Sequence, residues 1–336
     1  MKDWCRTAAS MRSLWSAICR LVALCGVILV LLSGCGSGRV EVTPANSPEE
    51  LVFASSEDDI ISGGVLFSPP SGRSERTAAI WVHGWGVNFY HPSYVMIGRA
   101  LAQRGYPFLS VNTRMHDIGN VAGYRWGKRV RGGGYWGIPS QEVLDLASWI
   151  DLAEQRGFPQ VVLVGHSAGW AAVRAYQAER RDPRVAGLVF ASGMVYGERS
   201  APDPELLAEA TRLVEEGRGD DLIRLPNRIF PSFISAATHL DIVNTPQALY
   251  DFFGVETPNP GVSQISCPIL AFFGTEGDVG GESDLELLRW STLRQPTGPS
   301  RVDTVMIEDA DHMYSGQELQ VADTIAAWIA TLSGGD

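Results

Sequence analysis

From Thr77 onward the sequence alternates short apolar runs with segments of helical spacing, and no other feature restricts its fold so tightly. Residues 77–84 (TAAIWVHG), 106–114 (YPFLSVNTR), 160–165 (QVVLVG), 185–192 (VAGLVFAS), 267–274 (CPILAFFG) and 301–309 (RVDTVMIED) read as strands. Their apolar stretches are nearly continuous, as expected of strands covered on both faces. Between them, residues 91–105, 139–157, 168–180 and 283–293 carry helical spacing, the first two closing on a Gly. Strands alternating with helices imply an α/β fold with a mostly parallel central sheet flanked by helices. In such sheets the functional loops gather beyond the carboxyl ends of the strands.

The flanking segments extend this frame. Residues 51–70 read as a hairpin of alternating apolar residues around an acidic turn, Glu57 to Asp59. Residues 115–138 read as one long Gly-rich loop, in which 125–131 gather Arg125, Lys128, Arg129 and Arg131 among aromatics. That basic loop could meet an anionic substrate or lipid, or simply be solvated. Between 196 and 262 the alternation stops. Residues 203–217, 232–243 and 246–254 look helical, so the segment is expected to be a helical cap inserted over the sheet edge. The final helix is expected to open on SGQE, with Ser315 and Glu318 as a capping box.

The first 34 residues are of another kind. Arg12 and Arg20 precede an unbroken apolar run at 21–32, which is signal-peptide length and short for a membrane span. The run ends in LLSGC at 31–35, which resembles the lipobox of bacterial lipoproteins. The resemblance implies diacylglycerol on Cys35, removal of residues 1–34, and a membrane-anchored protein of the bacterial envelope facing the periplasm or exterior. Residues 35–48 then form a flexible tether with a span of roughly 20 Å, leaving 49–336 as the folded domain. Cleavage would remove Lys2, Arg6, Arg12 and Arg20 against Asp3, taking the net charge from −11 to −14. Acidity of that order argues against nucleic-acid binding. Of five cysteines, only Cys267 would remain beside the anchor, so no internal disulfide is expected.

Four motifs fall at strand ends: HGWG, GHSAG, FFGTEGD and EDADH. In Gly165-His166-Ser167-Ala168-Gly169, a sharp strand-to-helix turn needs small neighbours and pushes Ser167 outward. A serine hydroxyl needs a base to become a nucleophile. Among six histidines, His312 follows the last strand, where it can reach across to Ser167. A base needs an acid to hold its tautomer. Asp278 is the first choice, Glu276 of the same loop the alternative, and Asp311 a remote third. Arg114, at another strand end, is expected to pair with a carboxylate such as Asp117.

The order Ser167, Asp278, His312, with HGWG upstream, resembles the α/β-hydrolase superfamily over nearly all of residues 51–332. The resemblance implies an oxyanion hole made by the N–H groups of Trp85 and Ala168. It implies a serine hydrolase of a small-molecule ester or acyl substrate, working without metal or organic cofactor. Peptidase, thioesterase and perhydrolase chemistry share the same three groups, and a non-catalytic membrane-tethered binding lipoprotein is the alternative of another class. Asp278 stands four residues after Gly274, where many relatives place the acid three after. Residues 204–223 and NTRMHD at 112–117 also resemble the siderophore-esterase branch.

Overall fold

The chain enters the fold through the expected hairpin. Strand β1 (Glu49–Ser55) pairs antiparallel with β2 (Ile60–Phe67), in register from Glu49 opposite Phe67 to Ser55 opposite Ile61. The acidic turn closes with Asp59 at φ 67°, and Ser56 Oγ donates to Asp58 Oδ1 at 2.6 Å. The computed structural model describes residues 48–70, 75–124, 129–196, 202–226, 231–299 and 301–332, all within the unit Ala45–Asp336. Cys35 and the leader, tether and lipobox readings lie outside the described residues, as do Arg125 and Lys128 of the basic loop.

The elements that follow are β3 (Thr77–Val82), α1 (Pro92–Gln103), β4 (Phe108–Val111), α2 (Glu142–Gln155), β7 (Gln160–His166), α3 (Gly169–Arg180) and β8 (Val185–Ala191). After the inserted segment come β11 (Ile269–Gly274), α7 (Glu282–Leu293), β12 (Val302–Ile307) and α8 (Glu318–Leu332). Two further strands, β5 (Asn120–Tyr124) and β6 (Val130–Gly132), lie between β4 and α2. The described strands of the main sheet run in the order β12-β11-β8-β7-β3-β4-β2-β5-β6, with β1 on β2. Strands β12 through β4 are parallel, while β2, β1, β5 and β6 pair antiparallel.

Successive residues of a strand face opposite sides, and the core divides accordingly. Ile80, Leu163, Phe190 and Phe273 pack against Trp149 of α2, Trp170 and Tyr176 of α3 and Leu288 of α7. Trp81, Val164, Val189 and Phe272 face the other way, onto Tyr94 and Leu101 of α1 and Ile325 and Trp328 of α8. Ser167 therefore follows a central strand with helices on both faces. Cys267 is a free, buried cysteine in this core.

Three sequence expectations need correcting. The Gly-rich stretch 115–138 is not a plain loop: β5 pairs with β6 and also adds to the sheet through Ile60 and Ile61 of β2. The strand that joins this hairpin to the sheet lies some sixty residues earlier, so local pattern carried no sign of it. Ser315 does not open α8, because Tyr314 (φ 61°) and Gly316 (φ 81°) turn the chain first and helix begins at Glu318. Arg114 pairs with Asp145 and Asp58 and not with Asp117, which instead accepts from Asn88 Nδ2 and His116 Nδ1.

The segment between β8 and β11 holds α4 (Pro204–Glu215), a two-stranded ribbon of β9 (Leu222–Arg224) and β10 (Phe233–Ser235), α5 (Ala236–Val243) and the single turn α6 (Gln247–Tyr250). Asp203 caps α4 by accepting from Glu205 N and Leu206 N. Ala210, Leu213, Ile223 and Ile234 form a small core of their own, against which Trp85 of HGWG packs. Ser235 N donates to Tyr135 O at 2.7 Å and Trp136 Nε1 to Asp220 O at 2.9 Å. These bonds fasten the segment to the loop after β6, beside the carboxyl ends of the strands.

Candidate active site

Ser167 sits in the left-handed region, φ 53°, which non-glycine residues rarely occupy. Such a conformation costs on the order of 1–3 kcal/mol and persists only where the surroundings enforce it. Here the enforcement is close packing. A Cβ at Gly165 would lie 2.6 Å from Gly169 O, and one at Gly169 would lie 2.5 Å from Val82 O. With β7, the turn and α3 brought this close together, Ser167 N donates to Ala191 O at 2.9 Å and the Ser167 side chain faces a cleft.

His312 Nε2 lies 3.2 Å from Ser167 Oγ, and His312 Nδ1 lies 2.8 Å from Asp278 Oδ1. The chain of hydrogen bonds thus joins residues from the ends of three strands. The Asp278 side chain is fully enclosed while that of His312 is 30% exposed, so solvent reaches the ring but not its acid. Burial alone would raise the Asp278 carboxyl. Bonds from His312, Ser192 Oγ (2.5 Å), Gly274 N and Val279 N (2.7 Å each) outweigh it and hold the group below the usual carboxylate range. An ionised Asp278 fixes the proton on His312 Nδ1 and leaves Nε2 as the acceptor facing Ser167. The four-residue offset from Gly274 is what folds the carboxylate back onto Gly274 N.

The other acids do different work. Glu276 is exposed, and its backbone N donates to Ala310 O. The Asp311 carboxylate accepts from Met313 N and Ser315 N, at 2.9 Å each, shaping the loop that carries His312.

Several supporting groups gave no signal in the sequence. Tyr314 is fully buried and its phenol pushed well above its ordinary pKa by burial, so it stays protonated. It donates to Ser192 Oγ at 2.5 Å, and Ser192 donates onward to Asp278. Behind the histidine, Gly84 N donates to Tyr94 Oη (3.4 Å), and Tyr94 donates to His166 Nδ1 (2.7 Å). His166 Nε2 then donates to the carbonyl of His312 (2.8 Å). Burial, with His312 nearby, lowers His166 to about 3, so its ring is neutral and this direction of donation holds. The network ties the HGWG turn to the His312 loop.

His83 has a similar part. Burial lowers it to about 4. Its Nε2 accepts from Thr113 N at 3.1 Å, which puts the proton on Nδ1, bonded to Gly84 O at 2.8 Å. Gly84 C=O and Trp85 N–H belong to one planar peptide, so holding the carbonyl aims the N–H. Neither Trp85 N nor Ala168 N has a partner among the described residues. Two free backbone donors flanking a serine hydroxyl can receive a developing negative charge. Beside them Glu142 accepts from Thr113 Oγ1 at 2.6 Å and lines a small cavity with His83, Trp85 and Ala168. Burial raises Glu142 to about 8.

Of the three remaining histidines, His91 packs on Tyr94 (ring centroids 5.2 Å), His116 bonds to Asp117, and His239 is buried in the inserted segment.

Comparison with known proteins agrees with this geometry. Residues 79–324 match the model of the alpha/beta hydrolase family, and the chain belongs to that family. Among curated proteins none matches. Of solved structures, one similar to this chain is Est1E of Butyrivibrio proteoclasticus with ferulic acid bound (16% identity, TM-score 0.59, 84% of this chain and 100% of that one). Another is the esterase domain of a Rhodothermus marinus protein (17% identity, TM-score 0.51, covering 84% and 97%). A third is the Pyrococcus furiosus esterase Pf2001 (14% identity, TM-score 0.53, covering 85% and 93%). At these identities the likeness is one of fold: a mostly parallel sheet flanked by helices.

Proposed function

We propose that this hydrolase is a serine esterase that cleaves a small-molecule carboxylic ester through an acyl-enzyme. Ser167 Oγ attacks the carbonyl carbon while His312 Nε2 takes its proton. The N–H groups of Trp85 and Ala168 hold the oxyanion, and Asp278 stabilises the imidazolium. His312 then protonates the departing alcohol, and water repeats the sequence to release the acid. No metal or organic cofactor enters these steps. The observation that carries the reading is the unbroken Asp278–His312–Ser167 hydrogen-bond chain beside two unpartnered backbone N–H groups. The esterase neighbours, one holding ferulic acid, favour an ester of small size.

Ser167→Ala, assayed on short p-nitrophenyl esters, is expected to lose at least about a thousandfold in kcat, since the nucleophile is gone. Turnover at the wild-type level would show that Ser167 is not the nucleophile. Labelling by a fluorophosphonate probe in wild type and its loss in the variant checks the same point, and a folded wild type that takes no label would favour a binding role.

The inserted segment serves as a cap in this proposal, and the narrower likeness to siderophore esterases belongs to it as well. So does the anchor: a diacylglyceryl Cys35 would hold the domain to a bacterial membrane, on the side facing the periplasm or exterior. Cys35→Ser protein is expected to move from the membrane to the soluble fraction; complete retention by membranes would overturn the anchor.

A further inference from the structure

Helix α3 leaves the Ser167 turn with Ala168, Ala171 and Arg174 at intervals of three, which places them along one face. That face borders the cleft into which Ser167 opens, a space of about 290 Å³ shared with Ser192 and Met194. Two alanines leave the room between the hydroxyl and the guanidinium unfilled. Arg174 stands roughly 9 Å along the helix axis from Ala168, and helical side chains tilt back toward the N-terminus, here toward Ser167.

Arg174 is unlike most arginines of this chain. Arg99, Arg114, Arg156 and Arg184, among others, pair with carboxylates. Arg174 has neither a carboxylate nor a hydrogen-bond acceptor among the described residues. Its Cζ lies 5.9 Å from the centroid of the Phe252 ring, and the Tyr250 phenol, uncharged at neutral pH, is close enough to act on it electrostatically. It is partly buried, and loss of water lowers its pKa to about 10, which still leaves it charged at neutral pH. A cation withdrawn from water without a partner is costly, and in a chain of net charge −11 a carboxylate partner was readily to hand. An incoming anion would supply the missing partner.

We propose that Arg174 is a specificity residue, binding a carboxylate carried by the ester substrate several atoms from the scissile carbonyl. This rests on the serine-hydrolase reading of the same cleft. The carboxylate belongs either to the acyl part or to the alcohol part, and two pairs of esters separate these. Mono-p-nitrophenyl glutarate against p-nitrophenyl pentanoate probes the acyl side. The 4-carboxyphenyl ester of butyrate against its 4-carbamoylphenyl analogue probes the alcohol side.

The quantity to read is the ratio of kcat/KM for the anionic ester to that for its neutral partner. In wild type the ratio should exceed unity in at least one pair and fall as salt is raised, since charge pairing is screened. Arg174→Met should lower it about 10- to 100-fold, as for loss of a charge-assisted hydrogen bond, and Arg174→Lys should keep the larger part. A response in either pair supports the proposal and assigns the side. Ratios unchanged by Arg174→Met in both pairs would overturn it, and if that variant does not fold, a salt-independent wild-type ratio does so equally. Ser167→Ala run alongside keeps the two readings apart: wild-type turnover there removes the nucleophile, whereas a dead Ser167→Ala with indifferent Arg174 variants removes only the subsite.

Discussion

The left-handed conformation of Ser167 sets function against stability at a single residue. Glycine occupies φ near 53° without the steric penalty, though it loses more chain entropy on folding. Ser167→Gly is therefore expected to abolish esterase activity while stabilising the fold by about 1 kcal/mol. Thermal unfolding of the purified variant checks this; a lower Tm than wild type would mean the turn is not strained. The meeting of Ser167 with His312 was legible in the sequence because a sharp strand-to-helix turn demands small residues at fixed offsets and the loop after the last strand opens on the same sheet edge. Tyr94, Ser192 and Tyr314 were not. Their hydroxyls act across 72 to 122 residues of chain, and nothing local distinguishes Tyr94 from any other apolar position of an amphipathic helix.

Among elements, the join between the first hairpin and α2 depends on one buried ion cluster. Arg114, 3% exposed, bonds through Nε and Nη2 to Asp145 of α2 and reaches Asp58 in the β1–β2 turn. Removing it strands Asp145, whose side chain is 1% exposed. Arg114→Ala is expected to cost about 3–5 kcal/mol, measurable as a lowered urea midpoint; a loss under 1 kcal/mol would show the cluster to be dispensable. Legibility differed between elements for the same reason it differed between residues. The parallel strands carried their own signature, a continuous apolar run closed by a turn. The β5–β6 hairpin, short and glycine-bearing, joins the sheet through β2, and a partner that remote leaves no periodicity behind. The partner of Arg114 follows the same rule: Asp117 is near in sequence, but α2 brings Asp145 to the guanidinium.

For the whole molecule, buried ionisable groups predict how stability depends on pH. Burial lowers His83 to about 4 and His166 to about 3, and also lowers His91 and His239. Below about pH 6.5 the unfolded chain binds more protons at these rings than the folded chain does, so stability falls as pH drops through that range. Glu142, raised to about 8 by burial, acts in the opposite sense. The folded state holds its proton up to that value while the unfolded state releases it near 4.5, so this group erodes stability as pH climbs toward 8. Burial raises Asp145 too, which adds to the same limb; the four histidines outnumber these two carboxyls, and the optimum should fall near pH 6.5. Urea unfolding between pH 5 and 8 tests this, and Glu142→Gln should flatten the limb above 6.5. A decline above 6.5 that Glu142→Gln leaves untouched would assign it to another group.

The distance between Ser167 and His312 has a consequence in time. The hydroxyl and its base are 145 residues apart, and β12, whose end leads to His312, is laid on the sheet edge. A nascent chain already possesses Ser167 and its turn when its first half has emerged, yet His312 arrives only with the last strand and the loop beyond it. If the roles proposed for Ser167 and His312 hold, a chain arrested before β12 should be inert, however well its earlier strands are formed.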